Sequence, residues 1–596
     1  MMRETVLRTL ANLAGGMTAL ALTLGFFLAY FRIADPAVFG LASLMLTAFL
    51  MIQLGDPGLG RTAALLLARH GADPAAGDDR PSHGDAAPRA RARAPGSPAE
   101  TGAAGGGERR MAASLVHEPP APSGPPEASR AAGAAGAPAA AGAAGAAGAA
   151  GAARTAGGVR TAVVSLGAAQ LVVSLAIGAV LALAAGPLAA AGWLEAEGMD
   201  EAALAEGLLL IAAIFAVSAP RTFSTQCLNG LGRQATVNLV LVAGTLVRGI
   251  AGLVALGAAP DDATGFLALQ LVTHAGETAV LFWLAARAVP RDAGEPAWPR
   301  PDMPVLRRHM AFAGGDGANQ VCGALMLQGD RLVMSAFLTL EAFGAYSLIS
   351  TLAFGLARLG SPFPTAFLPH FTRLRAEGRQ DVLGRDYLAA TQLAACVLLP
   401  AAGAAVALSP WLVAVVLGDA ASPALTLAFA GLVIATATMS LATLPHAIQL
   451  ACDDSLTGLR VAVVATVIYL PLATLGVAFG GVAAAAAAFL AMALALLAWF
   501  GRISAARLDM STLTWARVIA RPALAVAPTA AVAAALAAAL LGPSAGAATG
   551  IANAAAVVVA LAVAGLALAL AAFAASPEAR RAVMDLAAGR TAAAGV

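Results

Sequence analysis

Long apolar runs alternate with short clusters of charge along this chain, and the spacing of that alternation predicts its architecture. A helix needs about 20 mainly apolar residues to cross the hydrocarbon of a bilayer. About fourteen such runs occur, near residues 11–33, 37–60, 162–190, 204–226, 235–257, 264–286, 309–335, 342–368, 387–408, 422–449, 456–477, 480–501, 516–540 and 551–575. Two uncharged stretches are each too long for one crossing. The stretch 461–501 breaks at Gly480 and Gly481, and 522–577 breaks at Gly542, Pro543 and Gly546, so each predicts a helical hairpin. The first run follows Arg3 and Arg8 as a signal peptide would. It is too long for an h-region and lacks a small-residue cleavage site, so it reads as an uncleaved first span.

Loop charge checks the count, because arginine accumulates on the cytoplasmic side in short loops. The even junctions carry Arg221 and Arg233; Arg287, Arg291, Arg300, Arg307 and Arg308; Arg373, Arg375, Arg379 and Arg385; and Arg502, Arg507, Arg517 and Arg521. The odd junctions are acidic or bare, with Asp35, then Glu195, Glu197, Asp200 and Glu201, then Asp261 and Asp262, then Asp419. One missed helix would invert everything after it. The persistent alternation therefore predicts an even number of spans with both termini cytoplasmic.

Composition agrees and narrows the chemistry. Hydrophobic residues make up 59% of the 596 and charged residues only 12%, against about 25% in a soluble domain. All 36 basic residues are arginine, so Schiff-base and P-loop lysine chemistry is excluded. A net charge of +2 gives no pull toward nucleic acid. Cys227, Cys322, Cys396 and Cys452 form no CxxC pair and read as small hydrophobes, with no metal site and no cofactor expected. Residues 70–160 differ from the rest. Rich in Ala, Gly, Pro and Arg and without aromatics, they predict a disordered cytoplasmic loop. The organisation expected is thus 1–69 (helices one and two), the 70–160 loop, 161–290 (helices three to six), 301–503 (helices seven to twelve), 504–577 (an extra helix pair) and a cytoplasmic tail at 578–596.

An internal repeat divides the bundle. Phe39, Gly40, Ser43, Leu44 and Thr47 recur as Phe343, Gly344, Ser347, Leu348 and Thr351, and one residue later Gly55 and Pro57 match Gly360 and Pro362. Ala14, Gly15, Gly16 and Arg32 likewise match Ala313, Gly314, Gly315 and Arg331. Helices one and seven start on the same side, so the repeat is parallel. The fold class expected is an all-α polytopic membrane bundle, two parallel six-helix repeats plus a C-terminal helix pair, with halves able to rock about a central cavity.

The opening pattern of Arg8, Asn12, Arg32, ADPAVFG and QLGDPGLGRTAALLLAR, then LNGLGR at 228–233 and QGDRLVMSAFLTLEAFGAYSL at 328–348, resembles the polysaccharide-export or Wzx-type flippases of the multidrug/oligosaccharidyl-lipid/polysaccharide exporter superfamily. The likeness covers nearly the whole chain outside 70–160. It implies a non-enzymatic transporter, and fourteen helices imply undecaprenyl-pyrophosphate-linked oligosaccharide as cargo. The partners implied are that lipid-linked oligosaccharide, the bilayer, a driving proton or sodium ion, and polysaccharide assembly proteins.

Charge inside hydrocarbon marks the candidate site, since each such group costs about 2.5–3.5 kcal/mol at mid-helix. Gln270, His274 and Glu277 form one polar stripe, and Asp316, Asn319 and Gln320 another, with Arg331 three turns on. Arg248 and Arg358 are the main candidate cargo-binding cations, with Arg331 and Arg32 behind them, because arginine offers bidentate donors to phosphate. Glu277, Asp316 and His274 are the ion-coupling candidates. Blander readings stand beside these: an Arg358–Asp316 salt bridge, snorkelling of Arg32 and Arg331, and a hydrogen-bonded interior His274. Asp56, with Pro57 and Gly58, reads as a turn. The rival functions are a flippase for another lipid-linked precursor, a drug/ion antiporter of the same superfamily and a membrane polymerase or glycosyltransferase. The last is disfavoured by outward loops of only about ten to fifteen residues and by the lack of a nucleophile or metal cluster.

Overall fold

The computed structural model describes residues 18, 21–51, 58–72, 158–192, 199–291, 296, 299–452, 455–541 and 551–581. Most of the predicted 70–160 loop, the Asp56-Pro57 turn and the end of the C-terminal tail lie outside the described residues. Its helices are α1 Ala21–Ile33, α2 Pro36–Leu50, α3 Leu59–Ala72, α4 Val159–Ala190, α5 Glu201–Gly230, α6 Gln234–Ala258 and α7 Ala263–Ala288 in the first half. The second half comprises α8 Met303–Ser335, α9 Leu340–Ala376, α10 Gln380–Ala407, the short α11 Ser409–Leu417, α12 Pro423–Ala451 and α13 Ser455–Arg507. The extra pair is α14 Thr512–Leu541 and α15 Ile551–Ala574.

Each predicted run has a helical counterpart. Ten described helices are long and apolar enough to cross a membrane, and α13 supplies two crossings. At Gly481 the backbone turns through φ +67°, which only glycine adopts freely. Tyr469 and Phe489 then face each other with ring centroids 5.6 Å apart, whereas a straight helix would hold residues so spaced about 30 Å apart. α14 also lies against the segment that follows α15, with Arg521 and Glu578 at 3.3 Å, while the predicted break at Gly542, Pro543 and Gly546 lies outside the described residues.

The loop alternation also takes physical form. Asp35, Asp200, Asp261 and Asp262, from three odd junctions, line one surface cavity of about 430 Å³. Three of these aspartates are helix N-caps, their carboxylates accepting from Ala37, Ala203 and Gly265. Arg221 departs from the expected pattern. The sequence places it in an arginine-rich junction, but α5 runs on to Gly230 and keeps it well inside the helix.

The two halves cross where the repeated motifs meet. A Cβ on Gly40 would strike the Leu340 backbone, and one on Gly344 would approach the Gly40 backbone and the Phe39 ring. The paired glycines thus let α2 and α9 touch backbone to backbone, the arrangement that dispersion favours where lipid offers no hydrophobic drive. Thr47 and Thr351 each donate back to the carbonyl four residues earlier, at 2.9 and 2.7 Å. On the arginine-rich face the halves meet again, the Asp302 amide donating to Ser165 Oγ at 2.8 Å. The extra pair is fastened to α10: Gln392 Oε1 accepts from the Ala579 amide at 2.9 Å, and Cys396 Sγ lies 3.1 Å from Ser576 Oγ.

Candidate functional site

Three helices of the first half bring charge together. Glu277 of α7 receives Arg221 Nη1 of α5 on Oε1 at 2.7 Å, and its Oε2 is paired with Arg248 Nη1 of α6. The Glu277 side chain is 2% exposed and each arginine side chain 13%. The glutamate is therefore sealed more completely than the two arginines it pairs with. Gly244 makes this possible, because a Cβ there would occupy the space of Glu277 Oε2. Phe49, near the end of α2, lies under both cations, 4.3 Å from Arg221 Cζ and 5.7 Å from Arg248 Cζ.

The polar stripe of α7 supports this cluster. Gln270, His274 and Glu277 are all buried. Gln270 Nε2 donates to the Arg248 carbonyl at 3.2 Å, Tyr30 donates to the Gly249 carbonyl at 3.0 Å, and His274 packs on Phe49 with centroids 4.9 Å apart. Arg248, Gln270, His274 and Phe49 line a cavity of about 90 Å³ that is otherwise mostly apolar. Two cations and one anion leave the cluster with one surplus positive charge.

The second half holds a different cluster. Asp330 accepts from Tyr346 at 2.7 Å and Ser350 at 3.2 Å, while Arg331 donates through Nη2 to Thr351 Oγ1 at 2.7 Å and through Nε to Ser350 Oγ at 3.3 Å. Arg331 is fully buried, which corrects the snorkelling alternative: its guanidinium turns inward onto α9 hydroxyls instead of reaching for the interface. Arg32, its repeat partner, is exposed and donates through Nη2 to the Val415 carbonyl at 2.6 Å, tying α1 to α11. Arg358 sits on the exposed side of the short turn Ala357–Gly360 that interrupts α9. Gln320 is half-buried on α8, and the side chains of Asp316 and Asn319 lie outside the described residues.

Of the residues singled out in the sequence, the structure gathers Arg248, Gln270, His274 and Glu277 together, and it adds Arg221 and Asp330, which were not among the candidates. Arg221 could have been recovered from Pro220 and the polar run after it, which lowers local hydropathy without ending the helix. Asp330 left a weaker signal, since Arg331 beside it cancels its charge.

Residues 161–425 match the family model described as "Polysaccharide biosynthesis protein". Among solved structures, the chain is similar to one titled as lipid II flippase MurJ in an inward closed conformation, with a TM-score of 0.59 and 10% identity, covering 95% of this chain and 99% of that one. It is also similar to a multidrug resistance MATE family transporter of the MOP superfamily in its inward-facing conformation, with a TM-score of 0.55 and 14% identity over 84% of this chain and 98% of that one. No curated protein matches the chain in sequence. At these identities the likeness is one of fold, shared with a structure titled as a lipid II flippase and with one titled as a multidrug resistance MATE family transporter. Residues 161–425 add the sequence pattern of polysaccharide biosynthesis proteins, in agreement with the polysaccharide-export resemblance.

Proposed function

We propose that this protein is a flippase moving undecaprenyl-pyrophosphate-linked oligosaccharide across the bacterial cytoplasmic membrane by alternating access, driven by a proton or sodium gradient. The observation that carries the reading is the Arg221–Glu277–Arg248 cluster. Two guanidiniums that keep their charge, held on the same carboxylate and with side chains more exposed than it, suit a headgroup with a negative charge on each of two phosphates. The family match at 161–425 supports a role in polysaccharide biosynthesis. An apolar cavity of about 610 Å³ between α10, α12 and α14, lined by residues such as Leu399, Val406, Trp411 and Val526, supports a lipid-linked cargo over a free sugar. In this reading both termini are cytoplasmic, Arg358, Arg331 and Arg32 are secondary cargo contacts in other conformations, and Glu277, Asp316 and His274 serve ion coupling.

A flippase for a peptidoglycan precursor is the second reading. It is favoured by the lipid II flippase likeness, which covers 95% of this chain against 84% for the multidrug transporter. Proteoliposomes loaded with fluorescent prenyl-diphospho-oligosaccharides test both. Wild type should move a polysaccharide repeat unit faster than lipid II, and Arg221→Gln and Arg248→Gln should each slow it at every pH. Faster movement of lipid II would favour the second reading, and no movement of either would remove both.

A further inference from the structure

Cargo and carboxylate want the same donors. Resting on the headgroup reading above, we propose that Glu277 is an internal stand-in for the anionic headgroup: the diphosphate displaces it from Arg221 and Arg248, and the freed carboxylate takes a proton from solvent.

Charge balance argues for the exchange. In the structure two guanidiniums face one carboxylate, for a net charge of one positive. A diphosphate diester brings one negative charge on each phosphate. If Glu277 stayed ionised, the filled site would hold one unbalanced negative charge among Phe26, Phe27, Phe49 and Met45, which is expensive in a medium of low dielectric. With Glu277 protonated, two cations meet two phosphate charges and the sum is zero. Geometry agrees, because Arg248 lines the cavity and both arginine side chains are more exposed than the carboxylate, so an incoming anion meets arginine before Glu277. As each phosphate draws a guanidinium toward itself, the carboxylate loses its only ion-pair partners among the described residues. A desolvated carboxylate without a cation favours its neutral form.

The groups facing Glu277 limit where the proton can go. Arg221 comes from α5, Arg248 from α6 and His274 from one turn earlier on α7; Tyr30 of α1 is occupied with the carbonyls of Arg248 and Gly249. Among these described residues, His274 is the competing acceptor. The exchange makes the N-terminal half a co-binding site for an anionic headgroup and a proton, released together when Glu277 recaptures its arginines.

Calorimetry of the full chain in nanodiscs tests this, with a short-chain prenyl diphosphoglucose as probe and two non-phosphate buffers of different ionisation enthalpy. Wild type should take up about one proton per probe bound. Glu277→Gln should bind the probe about ten-fold tighter, with no proton uptake and no pH dependence. Gly244→Ala keeps the carboxylate but fills its resting space, so uptake should fall toward zero there too. UDP-glucose, the same diester on a soluble carrier, should bind more weakly with the same uptake; equal or tighter binding would assign the site to nucleotide sugars instead. Probe binding without proton uptake in wild type overturns the exchange and leaves the arginine site standing. Unchanged uptake in Glu277→Gln moves the proton to another group such as His274 and also overturns it. No probe binding by wild type removes the headgroup reading beneath both.

Discussion

The two repeat halves share a crossing and differ in how they hold charge. Gly40 and Gly344, Ser43 and Ser347, and Thr47 and Thr351 occupy matching places where α2 and α9 touch. The charges did not stay matched. In the first half two arginines share one glutamate, leaving a surplus positive charge, and one of them, Arg248, lines a cavity. In the second, Asp330 and Arg331 are neutral together, fully buried, and tied to the hydroxyls of α9. Duplicated backbone geometry is retained where close helix contact requires it. Electrostatics is free to diverge because a charge in hydrocarbon needs only a partner, and many positions can supply one.

If the second cluster is structural, Asp330→Leu should be the most damaging change. It leaves Arg331 without a nearby counter-charge, a loss of about 3–5 kcal/mol for a broken buried pair, visible as lost folded protein in detergent. The double variant Asp330→Leu with Arg331→Met should recover most of it; a double variant no better than the single would show that the two are not coupled.

The shared crossing comes next. Gly40→Val and Gly344→Val should each lower stability by about 1–3 kcal/mol through overpacking. Melting temperatures that fall for one and not the other would mean the repeat is symmetric in sequence alone.

In the first half the expected loss is of transport more than of fold. Arg221→Gln should cut flipping by about ten-fold, equivalent to about 1.4 kcal/mol, with melting displaced less than in Asp330→Leu. Equal damage to melting in both would erase the distinction between the halves.

The smallest effect concerns a segment only the first half carries. Replacing residues 75–155 by a short flexible linker should change melting by less than about 0.5 kcal/mol and leave flipping intact, as its composition predicts. Loss of flipping at normal expression would give that insertion a role.

Spans, hairpins and the repeat were legible in the sequence because each rests on a local signal: an apolar run, a glycine pair, a recurring motif. The α7 stripe was legible for the same reason, since Gln270, His274 and Glu277 recur at helical spacing on one chain segment. What joins them to Arg221 was not. That contact spans 56 residues and depends on how α5 leans against α7, which no single-segment pattern encodes. The charge count also misled, because Arg221 groups with the junction arginines although it falls inside the predicted 204–226 run and its backbone stays helical. Asp330 shows the converse failure, where adjacent opposite charges read as a polar helix end while α9 hydroxyls bury both.

The tether between α10 and the C-terminal pair has a mechanical meaning. Gln392 grips the backbone at Ala579, so α14 and α15 travel with the second half, and the apolar chamber between α10, α12 and α14 travels with them. Arg221 and Arg248 belong to the other half. A molecule with a greasy tail in the chamber and its anionic end on the arginines would span the two moving bodies like a strut, its length set by covalent bonds. Such a strut resists any rotation that stretches or compresses it, and the protein would then measure its cargo by length as well as by charge.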